Sequence, residues 1–174
     1  MAHIKSIALI FGLLLLAGSV RAQFESVALG SDERVRRLLD DLGYQYEVTS
    51  SGNYKCIFRL EEDRTQLIVV QSKTNTYRSQ ELREVWSLVY LGKKRPNYKV
   101  CLDLLSDSER KKWGNWEMTL DGDSEQYYIA FTVKLPADVD AETLNDALRI
   151  AAESADEMEV RLEASKLLKT MDEY

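Results

Sequence analysis

The chain has 174 residues, a formal net charge of −6 at pH 7 and 45% hydrophobic residues, which suits one domain with a hydrophobic core. Its acidity argues against nucleic acid and anionic membrane surfaces as default partners, because both repel a negatively charged protein. Beyond His3 the sequence has no histidine, so imidazole catalysis has no support from the rest of the chain.

Residues 1–22 have the three-part pattern of a secretory signal peptide. Lys5 precedes an apolar run over residues 7–17, and Val20 and Ala22 occupy positions −3 and −1 of a cleavage site. No later apolar run approaches the roughly 20 residues that a membrane span needs. We therefore predict cleavage after Ala22 and a periplasmic or secreted location, with retention of the uncleaved segment as the alternative.

The first structured element is predicted to be a helix that follows a short leader at residues 23–30. Ser31, Asp32 and Glu33 supply a cap and an acidic first turn. The apolar positions that follow have spacings of three and four residues: Val35, Leu38, Leu39 and Leu42. Gly43 then ends the helix as a left-handed cap.

Three strands are predicted next. Residues 54–60 alternate between apolar and other side chains, and residues 67–70 form a short apolar strand. Residues 82–91 fit either a helix or a strand, and their Val, Trp and Tyr content favours a strand.

Pro96 favours the start of a second helix, with an apolar face made of Tyr98, Cys101, Leu102 and Leu105. Two further alternating strands, at residues 116–120 and 127–135, flank a turn at residues 121–123. Three acidic residues in and beside this turn have alternating spacing: Asp121, Asp123 and Glu125. They lack the loop length of an EF-hand, so we interpret the segment as a hairpin turn and not as a calcium site.

The last helix is predicted to begin after Asp140. Its apolar stripe extends over five turns: Leu144, Ala147, Leu148, Ala151, Ala155, Met158 and Leu162. Leu167, Leu168 and Met171 extend the stripe beyond the length that one small sheet covers. This surplus predicts either a homodimer seam or a client site, with a frayed tail as the alternative.

The predicted fold is α+β, with an antiparallel five-stranded sheet, helices packed on one face and the order α-β-β-β-α-β-β-α. The predicted organisation is a signal peptide at residues 1–22, a leader at 23–30, a domain at 31–164 and a C-terminal helical extension or tail at 165–174.

Several stretches resemble the YbjN-domain family, whose members are described as proposed bacterial sensory transduction regulators. These stretches are Leu82-Arg83-Glu84-Val85-Trp86-Ser87, Leu104-Leu105, Gly114-Asn115-Trp116-Glu117, Ala141-Glu142-Thr143-Leu144 and Ala155-Asp156-Glu157-Met158. The resemblance covers roughly residues 32–162. It implies a fold similar to the type III secretion chaperones, small α+β proteins that often dimerise and hold a client protein.

The resemblance implies no catalytic or ligand-binding residues, because the family has no agreed set of them. This chain departs from the family where Ser106-Asp107-Ser108 replaces the Asn that often follows the double leucine. Its signal peptide also implies a role outside the cytoplasm.

Cys56 and Cys101 are the only cysteines, and both are predicted to face the core. In an oxidising compartment they can form a disulfide, and the alternative is two buried free thiols. Metal binding is not predicted, since zinc needs four ligands and the mature chain has no histidine. The chain also lacks a histidine that would activate a serine or cysteine nucleophile.

The predicted function is therefore an exported, non-catalytic binding or chaperone-like regulatory module without a cofactor, which acts through a protein partner or a homodimer. The alternative is a small periplasmic enzyme or metal-binding protein that uses carboxylates. The predicted interaction surface consists of Trp113, Leu167, Leu168 and Met171.

Overall fold

The computed structural model describes residues 30–164. The predicted signal peptide, residues 23–29 of the leader and residues 165–174 lie outside the described residues. In chain order the described elements are α1 (Glu33–Asp41), β1 (Tyr46–Val48), β2 (Tyr54–Arg59), β3 (Thr65–Val70), β4 (Asn75–Tyr77), β5 (Gln80–Gly92), α2 (Tyr98–Arg110), β6 (Asn115–Asp121), β7 (Gln126–Pro136) and α3 (Ala141–Ala164), with a 3₁₀ turn at Glu61–Asp63 between β2 and β3.

The strands form one antiparallel sheet, which confirms the predicted α+β class. The spatial order is β1-β2-β3-β5-β7-β6, and β4 pairs with the first part of β5. The prediction of five strands and the order α-β-β-β-α-β-β-α is wrong, because within residues 30–164 the sheet has seven strands. The two strands that were not predicted, β1 and β4, have three residues each. A strand of that length is too short to show an alternating pattern.

The segment at residues 82–91, which fits either a helix or a strand by sequence, is a strand. It lies inside the 13-residue β5, which pairs with β3 on one side and with β7 on the other. The β-branched and aromatic residues of this segment suit a central strand, where side chains pack against neighbours on both sides.

The hydrophobic core lies between one face of the sheet and the helices. Cys56, Ile68, Ser87, Phe131 and Trp116 lie in register across five strands, so they share this face, and all five are buried. Helix α3 packs across β3, β5 and β7, while α1 contacts α3 and α2 contacts β6. The buried part of the α3 stripe, from Leu144 to Leu162, faces this core as predicted.

The ends of the elements follow local sequence signals. The Asp32 side chain accepts a hydrogen bond from the Arg34 N–H, and Gly43, at φ +72°, follows the last turn of α1. Helix α2 begins two residues after Pro96, because the Asn97 side chain caps it. The Asp121 carboxylate accepts hydrogen bonds from the Asp123 N–H and the Ser124 hydroxyl, which confirms the predicted hairpin turn.

Candidate interaction surface

The structure describes only one of the four residues in the predicted interaction surface. Trp113 is half-buried and packs against the core. Leu167, Leu168 and Met171 lie outside the described residues. The described part of the chain therefore does not assemble this surface, and the structure places exposed apolar residues elsewhere.

The predicted disulfide is not formed in the structure, where Cys56 and Cys101 are both free thiols. Cys56 lies on β2, whereas Cys101 belongs to α2, which packs against β6. Four strand spacings separate β2 from β6, or roughly 19 Å at about 4.8 Å per strand. A disulfide requires Cα atoms within about 7 Å. The core-facing position that the sequence predicts for both cysteines, which only Cys56 occupies, was therefore not enough to predict a bridge.

We expect the two thiols to react at very different rates. Cys56 is buried, and its burial raises the pKa of the thiol to about 11, whereas Cys101 is half-exposed. Iodoacetamide should alkylate only Cys101 in the native protein and both thiols after denaturation without a reductant, as counted by intact mass. If the denatured, unreduced protein has no reactive thiol, the two cysteines are bridged and this structural assignment is wrong.

Helix α2 carries apolar residues on two faces, and the buried face is not the predicted one. Val100, Leu104 and Asp107 are buried, with the spacing of one helical face. The predicted face points outward instead, with Tyr98 78%, Leu102 43% and Leu105 64% exposed. Periodicity could not choose between the faces, because each has apolar residues three or four positions apart.

Strand β6, which lies next to α2, also carries exposed apolar residues. Met118 lies in register with the buried Ile129, so it points to the helix side of the sheet, and Leu120 two residues later does the same. Their exposed fractions are nevertheless 46% and 54%. Helix α2 therefore covers only the start of β6, at Trp116, and leaves the second half of the strand open.

The two elements run antiparallel beside each other. The Ser108 hydroxyl, near the end of α2, accepts a hydrogen bond of 2.9 Å from the Trp116 N–H near the start of β6. At the other end, Leu120 lines a shallow depression together with Lys93, which precedes α2. Five exposed apolar residues lie on these two neighbouring elements, and we call them the α2–β6 surface: Tyr98, Leu102, Leu105, Met118 and Leu120.

The outer edge of β6 is a second feature of the α2–β6 surface. Among the described strands β6 pairs only with β7, and the Trp116 N–H points away from β7 toward Ser108. Backbone groups alternate along a strand, so the N–H and C=O of Met118 and Leu120 also point outward. Glu117 and Asp121 are the charged residues of this strand, and Thr119 between Met118 and Leu120 is uncharged. Proteins usually shield such edges with charge, proline or short strands. The opposite edge, β1, has only three residues.

Asp107 holds α2 in position. Its buried carboxylate accepts hydrogen bonds of 2.8 Å from the Trp116 indole N–H and 2.7 Å from Arg161 of α3. Burial alone would raise the pKa of Asp107, but these two hydrogen bonds outweigh burial and lower it. One ionised side chain therefore connects α2, β6 and α3. The sequence marked Asp107 only as a departure from the family motif, and its partners were not predictable from it.

A pair of carboxylates lies on the face of the sheet that the described helices leave open. This pair bears on the predicted alternative of a small enzyme that uses carboxylates. Glu84 and Glu117 flank a shallow depression beside Trp86 and Tyr128. Lys134 lies between the two carboxylates, with its Nζ 2.7 Å from Glu117 and 3.7 Å from Glu84. Its hydrogen bond to Glu117 raises the pKa of Lys134, and the three groups together keep one net negative charge.

Neither a metal-binding cluster nor a membrane-spanning helix occurs within residues 30–164. No three His, Cys, Asp or Glu side chains in this range come together in a way that could hold a metal ion. None of the helices between Gly30 and Ala164 combines the length and apolar character needed to cross a membrane.

Among known proteins, the chain is similar to solved structures only. No protein-family model matches the chain, and no curated protein sequence matches it. Among solved structures, the chain is similar to the crystal structure of YbjN from E. coli, a protein proposed to regulate transcription. The TM-score is 0.47 and the sequence identity 14%, over 79% of this chain and 94% of YbjN. Membership of the YbjN-domain family, which the sequence motifs predict, stays a prediction.

Proposed function

We propose that this protein is a non-catalytic binding module that holds an extended, apolar polypeptide segment of a partner on the α2–β6 surface. The supporting observation is the exposure of five apolar residues on two adjacent elements, one of which is an edge strand that pairs with β7 alone among the described strands. We further propose that it acts outside the cytoplasm after cleavage at Ala22, which rests on the signal-peptide pattern of residues 1–22.

The chemistry of the partner follows from the two parts of the surface. Outward N–H and C=O groups of Met118 and Leu120 bind the main chain of an added strand, whatever its sequence. Tyr98, Leu102 and Leu105 bury apolar side chains of that strand, at about 25 cal/mol for each Å² removed from water. Such a site recognises extended apolar segments, which unfolded or partly folded proteins expose.

The first test measures binding of a permanently unfolded protein. We expect fluorescently labelled, reduced and carboxymethylated α-lactalbumin to bind, with anisotropy as the readout. The double variant L102S/L105S should bind it about tenfold more weakly, because it removes two apolar side chains from the contact. The matched control is Ile57→Ser, which changes a side chain that is 62% exposed on the opposite face of the sheet.

A second variant separates strand addition from nonspecific apolar adhesion. Met118→Pro removes an N–H that points away from β7, so the sheet should tolerate it while the added strand loses a donor. Met118→Ala keeps the N–H and serves as its control. A larger loss of affinity for the unfolded probe in Met118→Pro than in Met118→Ala supports strand addition. Equal binding by the wild type, L102S/L105S and Ile57→Ser would contradict the proposed surface.

A further inference from the structure

We propose that residues 165–174 of the chain itself occupy the α2–β6 surface when no partner is bound. This inference rests on the proposed function, since it names a competitor for the same site. Three observations support it: the point at which the chain leaves the described domain, the length of chain that follows, and the match in charge and apolarity between the two regions.

The chain leaves the described domain beside the far end of α2. Arg161 of α3 lies 2.7 Å from Asp107, and Glu157 lies 2.7 Å from Lys111, which follows α2 directly. The last turns of α3 therefore lie next to the last turn of α2. Residues that follow Ala164 begin close to one end of the α2–β6 surface.

The length of the segment matches the length of the surface. Helix α2 has 13 residues and is therefore roughly 20 Å long at about 1.5 Å per residue. An extended chain covers about 3.3 Å per residue, so the eight residues 165–172 reach roughly 26 Å. The segment can run back along α2 from Leu105 to Tyr98 and reach the loop that precedes the helix.

The composition of the segment also matches the surface. Leu167, Leu168 and Met171 supply apolar side chains to the middle of the α2–β6 surface, and Asp172 and Glu173 follow them. The loop before α2 has three consecutive cations, Lys93, Lys94 and Arg95, which form no ion pair with another described residue. In this orientation the acidic residues of the segment reach the basic loop.

Attachment to α3 makes the segment an effective competitor. A short tether holds a ligand near its site at an effective concentration on the order of millimolar. A partner must therefore displace the segment before it can bind. Only a partner that binds the α2–β6 surface more tightly than the tethered segment does so.

Photo-crosslinking tests the position of the segment in the full chain. We replace Leu168 with p-benzoylphenylalanine, irradiate, and map crosslinked peptides by mass spectrometry in an equal mixture of unlabelled and ¹⁵N-labelled protein. The expected result is crosslinking to residues 98–121 within one chain, and its loss in the L102S/L105S background. No crosslink to residues 98–121 would overturn the inference, and crosslinks only between differently labelled chains would assign the site to a second copy.

Binding of the unfolded probe separates this inference from the proposed function. The full-length triple variant L167S/L168S/M171S should bind reduced, carboxymethylated α-lactalbumin about tenfold more tightly than the wild type, because the competitor is weakened. Equal affinity of the two proteins would overturn the inference and leave the proposed function intact. Intrachain crosslinks without any probe binding would support the inference and contradict the proposed function.

Discussion

Asp32→Asn is expected to lower the free energy of unfolding by about 3 kcal/mol, because it leaves a buried arginine without its carboxylate. Arg83 is only 2% exposed, and its guanidinium donates to Asp32 and to the carbonyls of Gln71 and Ser72. Asn also caps helices well, so the variant keeps the N-cap of α1 and removes only the charge. Urea unfolding at pH 7 measures the loss.

The matched control for Asp32→Asn is Glu33→Gln, which changes an exposed carboxylate in the same turn. Glu33 pairs with Arg36 at the surface, so its loss should leave the free energy of unfolding almost unchanged. An equal loss in both variants would show that general charge effects, and not the buried pair with Arg83, cause the destabilisation.

The effect of Asp32→Asn should also depend on pH in a defined direction. Burial alone would raise the pKa of Asp32, but hydrogen bonds from Arg34 and Arg83 outweigh it and hold the pKa far below its usual range. The stabilisation by Asp32 is therefore complete above the unfolded-state pKa, about 3.9, and declines as the pH falls below it. The difference in unfolding free energy between the wild type and Asp32→Asn should be constant at pH 6–8 and should decrease below about pH 4.

Asp107→Ala is expected to cost about 3 kcal/mol of unfolding free energy, because it leaves three side-chain donors, from Arg110, Trp116 and Arg161, without their acceptor. The buried indole N–H of Trp116 loses its acceptor, and Arg110 and Arg161 each lose a carboxylate. Asp103→Ala is the control on the same helix, where an exposed pair with Lys99 is worth about 0.5 kcal/mol. Chemical denaturation of both variants provides the comparison.

A double-mutant cycle assigns the cost of Asp107→Ala to its hydrogen bond with Trp116. Trp116→Phe removes the donor, so it should cost about 1 to 2 kcal/mol less in the Asp107→Ala background than in the wild type. Hydrogen exchange at the backbone of α2 should also accelerate in Asp107→Ala, since the helix loses its main polar link to β6 and α3. If the losses of unfolding free energy from Asp107→Ala and Trp116→Phe are additive, the hydrogen bond between Asp107 and Trp116 contributes little to stability.

Local patterns predicted most of the elements of this protein. Alternation and β-branched content identified β2, β3 and β7 and favoured a strand for β5, because those preferences act within a few residues. Capping residues predicted the starts of α1 and α3 for the same reason. The short strands β1 and β4 were missed, since three residues have no period and form only by pairing with β2 and β5.

The candidate surface depended on information that no local pattern holds. Helix α2 has two apolar faces, and the position of Trp116 and Arg161 around Asp107 selects which one is buried. The exposure of Met118 and Leu120 depends on how far α2 extends along β6. The open strand edge depends on the spatial order of the strands, which places β6 last.

Hydrophobic periodicity in the amino-acid sequence was sufficient for the α+β class, the antiparallel sheet and the helix-covered face, because each strand and helix buries its own apolar side chains. Strand order, the buried face of α2 and the separation of Cys56 from Cys101 were settled by contacts between residues far apart in the chain. Those contacts pair buried charges such as Asp107 and Arg83 and bury apolar side chains from distant elements together, and no short segment specifies such an arrangement.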